Sequence, residues 1–294
     1  MKLAVLASPD SWYAADLRRA AAAQHEVVTL PFSLVAATLN EELRVSSDGR
    51  NLAEFNAVLV RTMPPGSLEQ VVFRMDALTR LEAAGTCVLN PPRAIEAAVD
   101  KFLTSAKLQA AGLPTPRTAV CQDVDEALAA FERLGRDVVC KPLFGSEGRG
   151  LTRLIDVDLA VRAFKMLAQF GAVIYLQEFV QHEGFDLRLF VLGQRVFGMK
   201  RLNPNDWRTN VSRGAKTEPL EVTDAWRELA RRAADAVGAP IAGVDLLIGR
   251  DGREHVLEVN AVPGWKALAR TLQIDIAALV LEFVAERASS RDLA

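Results

Sequence analysis

Apolar and polar positions alternate most regularly late in the chain, along Gly243-Val-Asp-Leu-Leu-Ile-Gly-Arg-Asp-Gly-Arg-Glu-His-Val-Leu-Glu-Val-Asn-Ala-Val-Pro-Gly264. Two short apolar runs around Gly249-Arg-Asp-Gly252 predict a β-hairpin. Side chains alternate faces along a strand, so Glu258 and Asn260 share one face, and Leu257 and Val259 turn to the core. A loop of residues 249 to 252, or any even length, puts Asp245 beside Glu258 and Asn260. The same reading predicts strands at 2–7, 27–30, 57–61 and 87–89, with helices from the turn at Ser8 to Gln24 and over 67–84. That is a small parallel α/β domain. Asn90-Pro91-Pro92 breaks the chain, and a helix over 94–111 follows, closed by Gly112, Pro114 and Pro116. Next come a strand at 117–121 and a helix at 124–135, opened by Asp123 with Glu126 as a capping box. A strand ending at Lys141, a glycine-rich turn, a strand at 151–155 and a helix at 158–170 complete that stretch. A strand at 172–180, a hairpin of 185–192 with 195–201, a helix at 223–237 and a last helix at 272–287 follow, with a frayed tail from 289 to 294. The expected units are 1–92, 93–174 and 175–288.

Composition narrows the class. The chain has 294 residues, half of them hydrophobic, and 35 basic against 37 acidic residues give a net charge of -2. A large core is available, and there is no general electrostatic footprint for nucleic acid. No apolar run approaches the roughly 20 residues that span a bilayer, and the N-terminus turns polar by Ser8, so no membrane association and a cytoplasmic location are expected. Cys87, Cys121 and Cys140 are odd in number and widely spaced, and His25, His182 and His255 make no ligand pattern with them. Self-association as a homo-oligomer stays open.

Two carboxylates and an amide oxygen on one hairpin face, without histidine or thiolate, suit a hard cation such as Mg²⁺ or Mn²⁺, which often accompanies phosphate. An isolated pattern of this kind also occurs on solvated hairpins. Phe144-Gly-Ser-Glu-Gly-Arg-Gly150 directly follows Lys141 and can bring backbone N–H groups onto phosphate oxygens. It lacks the Gly-Lys-Ser/Thr order of a Walker A loop, and no G-x-G-x-x-G follows the first strand. Lys101 falls in mid-helix, where a lone lysine is normally solvated. Gln177 and Glu178 interrupt a buried run, and an adenine ring suits their exposed backbone. Arg61 ends a strand before Thr-Met-Pro-Pro-Gly, where ligands of open α/β sheets tend to sit. Asp186, Arg188, Lys200, Arg201, Arg208, Arg213 and Lys216 read either as solvated strand ends or as groups around polyphosphate and carboxylates.

Taken in order, Asn90-Pro91 with Asp100-Lys101, Lys141-Pro142 with Gly145-Ser-Glu-Gly-Arg-Gly150, Gln177-Glu-Phe-Val180, Asp186-Leu-Arg188, Arg208-Thr-Asn210, Arg213-Gly214, Gly243-Val-Asp245 and Glu258-Val-Asn-Ala-Val-Pro-Gly264 resemble the ATP-grasp superfamily, in its RimK-like α-L-glutamate ligase branch. The resemblance covers about residues 50 to 265. It implies an N-terminal parallel α/β domain followed by two ATP-grasp subdomains with the nucleotide between their sheets. It implies that Lys101, Lys141 and the loop carrying Gly145, Ser146 and Gly148 hold the ATP phosphates. Glu178, Phe179 and Val180 would hold the adenine and Asp186 the ribose, with Arg208, Thr209 and Asn210 completing the pocket. Asp245, Glu258 and Asn260 would bind two Mg²⁺ or Mn²⁺ ions, and Arg201 with Lys141 would steady the transferring phosphoryl group. Arg61, Arg188 and Arg213 are the expected substrate contacts. The activity implied is ADP-forming ligation of L-glutamate to a carboxylate through an acylphosphate. Residues 60 to 70 differ from the ligases that act on a ribosomal protein tail and look more like relatives that modify tetrahydromethanopterin- or methylofuran-type cofactors. A ligase for another amino acid and a non-catalytic ATP-binding regulator are the alternatives.

Overall fold

The computed structural model describes residues 1–40, 43–145 and 148–291. The chain opens with β1 (Lys2–Leu6), α1 (Trp12–Ala21), β2 (Glu26–Leu30), β3 (Val35–Leu39), β4 (Leu43–Ser47), β5 (Arg50–Asn51), β6 (Ala57–Val60), α2 (Leu68–Ala83) and β7 (Cys87–Leu89). Strands β2-β1-β6-β7 form an all-parallel sheet, in which the central β1 and β6 carry the apolar runs that cover on both faces requires. The helices start where side chains satisfy free backbone N–H groups: Ser11 caps α1, and Ser67 with Gln70 makes a reciprocal capping box on α2. The antiparallel meander β3-β4-β5 was not anticipated.

Then follow α3 (Pro92–Val99), α4 (Lys101–Ala110), β8 (Thr118–Cys121), α5 (Val124–Arg133), β9 (Val138–Lys141), β10 (Thr152–Leu154), α6 (Val157–Gln169) and β11 (Ile174–Glu178). The single helix expected over 94–111 is two, because the Asp100 carboxylate accepts from the Leu103 N–H and restarts the helix there. Lys101 is therefore the first residue of a helix rather than a mid-helix residue. Asp123 caps α5 as expected, but Glu126 pairs with Arg133 instead of closing a capping box.

The last third comprises β12 (Phe185–Leu192), β13 (Arg195–Leu202), β14 (Lys216–Leu220), α7 (Asp224–Val237), β15 (Ile241–Ile248), β16 (Glu254–Asn260), α8 (Lys266–Leu272) and α9 (Ile276–Arg291). β14 was missed. The last helix expected over 272–287 is α9, starting four residues later and running through Ser289 and Ser290, whose hydroxyls bond carbonyls one turn back; α8 before it, ended by Gln273 in the left-handed conformation, was not expected. Residues 292–294 of the expected frayed tail lie outside the described residues.

Strand pairing sets the units. β10-β9-β11-β8 is a four-stranded antiparallel sheet, and β14-β13-β12-β15-β16 a five-stranded one. β11 thus closes the second unit rather than opening the third, which moves the expected boundary at 174/175 past Glu178. The first and third sheets share two cores: Leu6, Val60, Leu189 and Val244 in one, Val5, Leu59, Phe190, Trp265 and Val280 in the other. Buried Asn90 stitches them, donating to the carbonyls of Ile241 and Ala261 and accepting from the Ile241 N–H. The second sheet packs under α5 and α6 around a core of its own, with Phe131, Phe164 and Leu176. Among the described residues no helix is long and apolar enough to cross a membrane.

Candidate active site

The β15-β16 hairpin reaches the expected face by an unexpected route. Ile248 pairs with Glu254, so the loop is residues 249–253, an odd length that by itself would set Asp245 opposite Leu257. A bulge between Asp245 and Leu246 absorbs Leu257 and pairs Asp245 with Glu258 and Gly243 with Asn260. Asp245, Glu258 and Asn260 therefore share a face. Leu257, expected in the core, lines a chamber beside Glu258, whereas Val259 is buried.

Two cavities meet at these residues. The narrow one, about 100 Å³, lies between the second and third sheets and includes Lys101, Lys141, Gly145, Gly148, Glu178, Phe179, Val180, Asp186, Arg208, Thr209 and Asn210 in its walls. The wide one, about 840 Å³, extends between α1, α8 and the third sheet and includes Arg61, Arg188, Arg201 and Asn260. Asp245, Glu258 and Asn210 line both. Of the other residues singled out by sequence, Ser146 lies outside the described residues. Arg213 lines neither cavity; its guanidinium donates to the Gly148 carbonyl at 3.2 Å and straps the glycine turn.

The narrow chamber is cationic at one end and aromatic at the other. Lys141 ends β9 and donates to Gln177, which is held in turn by Thr118. Burial pushes the Lys141 ammonium down to about 8, and burial also lowers Lys101, whose ammonium donates to the Gly145 carbonyl at 2.8 Å. At the other end Phe179 lies under the Arg153 guanidinium, 3.5 Å from its ring centre, with the Trp207 ring edge-on at 5.7 Å. Sequence reading passed over Trp207, because a lone tryptophan in a polar loop carries no periodic signal. Glu178 accepts from the backbone N–H and guanidinium of Arg117, which ties β11 to the start of β8.

At the junction the charges are interlocked. Arg201 donates to both oxygens of Asp186 and pairs with Asp245 at 2.8 Å, and Asp245 also accepts from Arg188. Thr209 donates to Asp186 at 2.6 Å. Both Asp186 oxygens are thus committed to a buried ion pair, which differs from the open ribose acceptor expected of it. Burial alone would raise Asp245, but Arg188 and Arg201 hold it below the usual carboxylate range. Glu258 is raised by burial and by the neighbouring Asp245, and no described side chain donates a hydrogen bond to it. The set is all-oxygen, and burial with Asp245 outweighs the nearby cations Lys101, Arg188 and Lys141 at Glu258, a balance that a divalent cation would offset, so the residues fit a hard metal ion. The Asn260 oxygen accepts from the Val262 N–H at 2.8 Å and keeps a second lone pair.

A family model described as a RimK-like ATP-grasp domain matches residues 98–284. The tetrahydromethanopterin:alpha-L-glutamate ligase of Methanococcus maripaludis is 32% identical over 284 residues, covering 94% of this chain and 95% of that protein. Its namesake from Methanocaldococcus jannaschii is 34% identical over 274 residues, covering 90% and 91%. The alpha-aminoadipate–LysW ligase LysX of Saccharolobus solfataricus is 32% identical over 211 residues, covering 70% and 77%. Among solved structures, the ATP-grasp ligase PsnB complexed with minimal precursor, Mg and ADP superposes with a TM-score of 0.76 at 25% identity, covering 97% of each chain.

Proposed function

The chain belongs to the RimK-like ATP-grasp ligases, and on that premise we propose that it joins L-glutamate to a carboxylate of a small-molecule cofactor of tetrahydromethanopterin or methylofuran type, using ATP and Mg²⁺ or Mn²⁺. The observation that carries this reading is the meeting of two chambers at Asp245 and Glu258. The narrow one suits the nucleotide: Lys101, Lys141 and the glycine turn face its phosphates, and Phe179 and Trp207 its base. The wide one suits the acceptor and the amino acid.

In the first step an acceptor carboxylate oxygen attacks the γ-phosphorus of ATP, the bond to the bridging oxygen breaks, and ADP leaves. In the second the glutamate amine attacks the acyl carbon, phosphate leaves with the carbon–oxygen bond pair, and the nitrogen loses a proton to solvent. Lys141 and Arg201 offset charge on the transferring group, while Arg188 and Arg201 orient Asp245. Asp245, Glu258 and Asn260 would hold the divalent cations, which when bound supply charge neutralisation along the polyphosphate. No Ser/His/Asp or Cys/His arrangement is needed.

The test is product identity. With the correct carboxylate, hydroxylamine should capture the acyl group as a hydroxamate in step with ADP and phosphate, and glutamate should yield the amide. Stoichiometric AMP and pyrophosphate would overturn the reading.

A further inference from the structure

Most charged groups on the wide cavity have partners. Arg19 pairs with Asp16 and Asp275, both at 2.8 Å, and Arg188 and Arg201 are bound to Asp245. Three cations on that wall make no ion pair with a described carboxylate: Arg61, Lys266 and Arg270. Arg61 is the telling one, at 7% exposure. Its guanidinium donates once, to the Pro263 carbonyl at 2.7 Å, and its Nε has no partner among the described residues. Burial lowers it only to about 10, so it remains a cation at neutral pH. A buried guanidinium without a counter-ion is costly unless a ligand supplies the anion.

Aromatic rings hold two of these cations, Arg61 and Lys266. Arg61 lies 4.3 Å from the Trp265 ring centre and 4.9 Å from that of Tyr13. Tyr13 meets Trp12 edge-on at 5.3 Å, and the Lys266 ammonium sits 5.1 Å over Trp12. Trp265 is pinned by its indole N–H to Asp16 at 3.0 Å. Arg270 follows Lys266 by four residues on α8 and shares its helical face. The edge-on Tyr13–Trp12 pair thus lies between two cationic ends, Arg61 on one side and Lys266 on the other.

We propose that this arrangement is a two-ended oxyanion clamp that selects a dicarboxylic amino acid, with Arg61 binding one carboxylate and Lys266 with Arg270 the other. The clamp rests on the ligase reading for its occupant, the incoming L-glutamate. The charge discriminates against neutral side chains, because an amide in place of either carboxylate leaves a cation unpaired.

The test is calorimetry on the full chain loaded with ADP and Mg²⁺, titrated with L-glutamate, glutarate and L-glutamine. Glutarate, which keeps both carboxylates and lacks the amine, should bind close to glutamate, and glutamine about tenfold or more weaker. Lys266→Ala/Arg270→Ala alters exposed side chains and should retain the fold while bringing glutamate down to the level of glutamine. Arg61→Lys keeps the charge but not the planar fork, and should weaken both ligands. A wild type that binds glutamate no tighter than glutamine, or not measurably, overturns the clamp, as does a double variant that keeps the wild-type preference. Hydroxamate and ADP formation are scored separately: their absence with the preference intact removes the ligase reading and leaves the clamp, and the converse result removes the clamp alone.

Discussion

Asp186 offers the sharpest test of the site's internal wiring. Were it a ribose ligand, Asp186→Asn would weaken nucleotide binding and leave the ligand-free protein as stable as before. The geometry argues otherwise. Asp186 accepts from Arg201 Nε at 2.6 Å, from Arg201 Nη2 and from Thr209 Oγ1 at 2.6 Å, all buried. An asparagine has one acceptor oxygen, so its amide nitrogen must face at least one of those donors, which loses its partner at a cost of about 1–3 kcal/mol. The cluster of Arg188, Arg201, Asp186 and Asp245 also changes from two charges of each sign to two positive and one negative. Removing one partner of a buried pair costs about 3–5 kcal/mol, and Asp245 remains to hold Arg201, so about 3 kcal/mol is expected. That lowers Tm, read as the midpoint of the step in which the first and third sheets unfold, by roughly 6–12 °C. Thermal unfolding followed by circular dichroism, without nucleotide, reads this directly. A Tm within about 2 °C of wild type would refute the argument and return Asp186 to the role of an open nucleotide ligand.

Glu258→Gln should reduce turnover at least ~10²-fold without lowering the ligand-free Tm, since it removes a buried charge for which burial and Asp245 outweigh the cations Lys101, Arg188 and Lys141. Because the folded Glu258 lies above its ordinary value, its contribution to stability is present at low pH and lost as pH rises through the raised value; a pH series of Tm should show this slope in wild type and a flatter one in the variant. Lys141→Ala should weaken ADP binding with little change in Tm. In wild type, ADP affinity should fall as pH rises above about 8, with proton uptake on binding in that window, because phosphate favours the ammonium form; calorimetry in buffers of different ionisation enthalpy detects it, and a pH-independent affinity would count against the assignment. Trp207→Ala should weaken ADP binding by roughly three- to tenfold and abolish part of the fluorescence change on binding, whereas an unchanged affinity would place the base elsewhere.

The sequence made the hairpin carboxylates, Lys141 before the glycine turn, and the parallel first sheet legible, because each follows from local alternation or from a turn. What it hid depends on distant partners. β11 reads as the start of the last unit, yet it lies between β9 and β8, and only long-range pairing decides that. The helical period runs unbroken through Asp100, so the cap that places Lys101 at a helix start is visible only as an aspartate inside an apolar pattern. The loop of β15-β16 has the wrong parity for the expected face, and the bulge that repairs it leaves no clear mark in the sequence. Trp265, fully buried beneath Arg61, and Trp207, beside Phe179, are isolated aromatics whose roles appear only once their neighbours are known.

The second sheet has a core closed on itself, whereas the first and third sheets share theirs. Among the described residues, polar contacts tie it to the rest, including the hydroxyls of Tyr175 and Ser105 at 2.8 Å, Lys101 to the Gly145 carbonyl, Arg208 to the Leu151 carbonyl and Arg213 to the Gly148 carbonyl. In thermodynamic terms they should behave as two cooperative blocks with a modest coupling energy, with the narrow chamber at their interface. A ligand seated there bonds to both blocks at once and adds its binding free energy to the coupling rather than to either block alone. The ligand-free chain should therefore melt in two steps, with hydrogen exchange of β8 to β11 faster than that of the shared cores, and saturating ADP should merge the two steps into one.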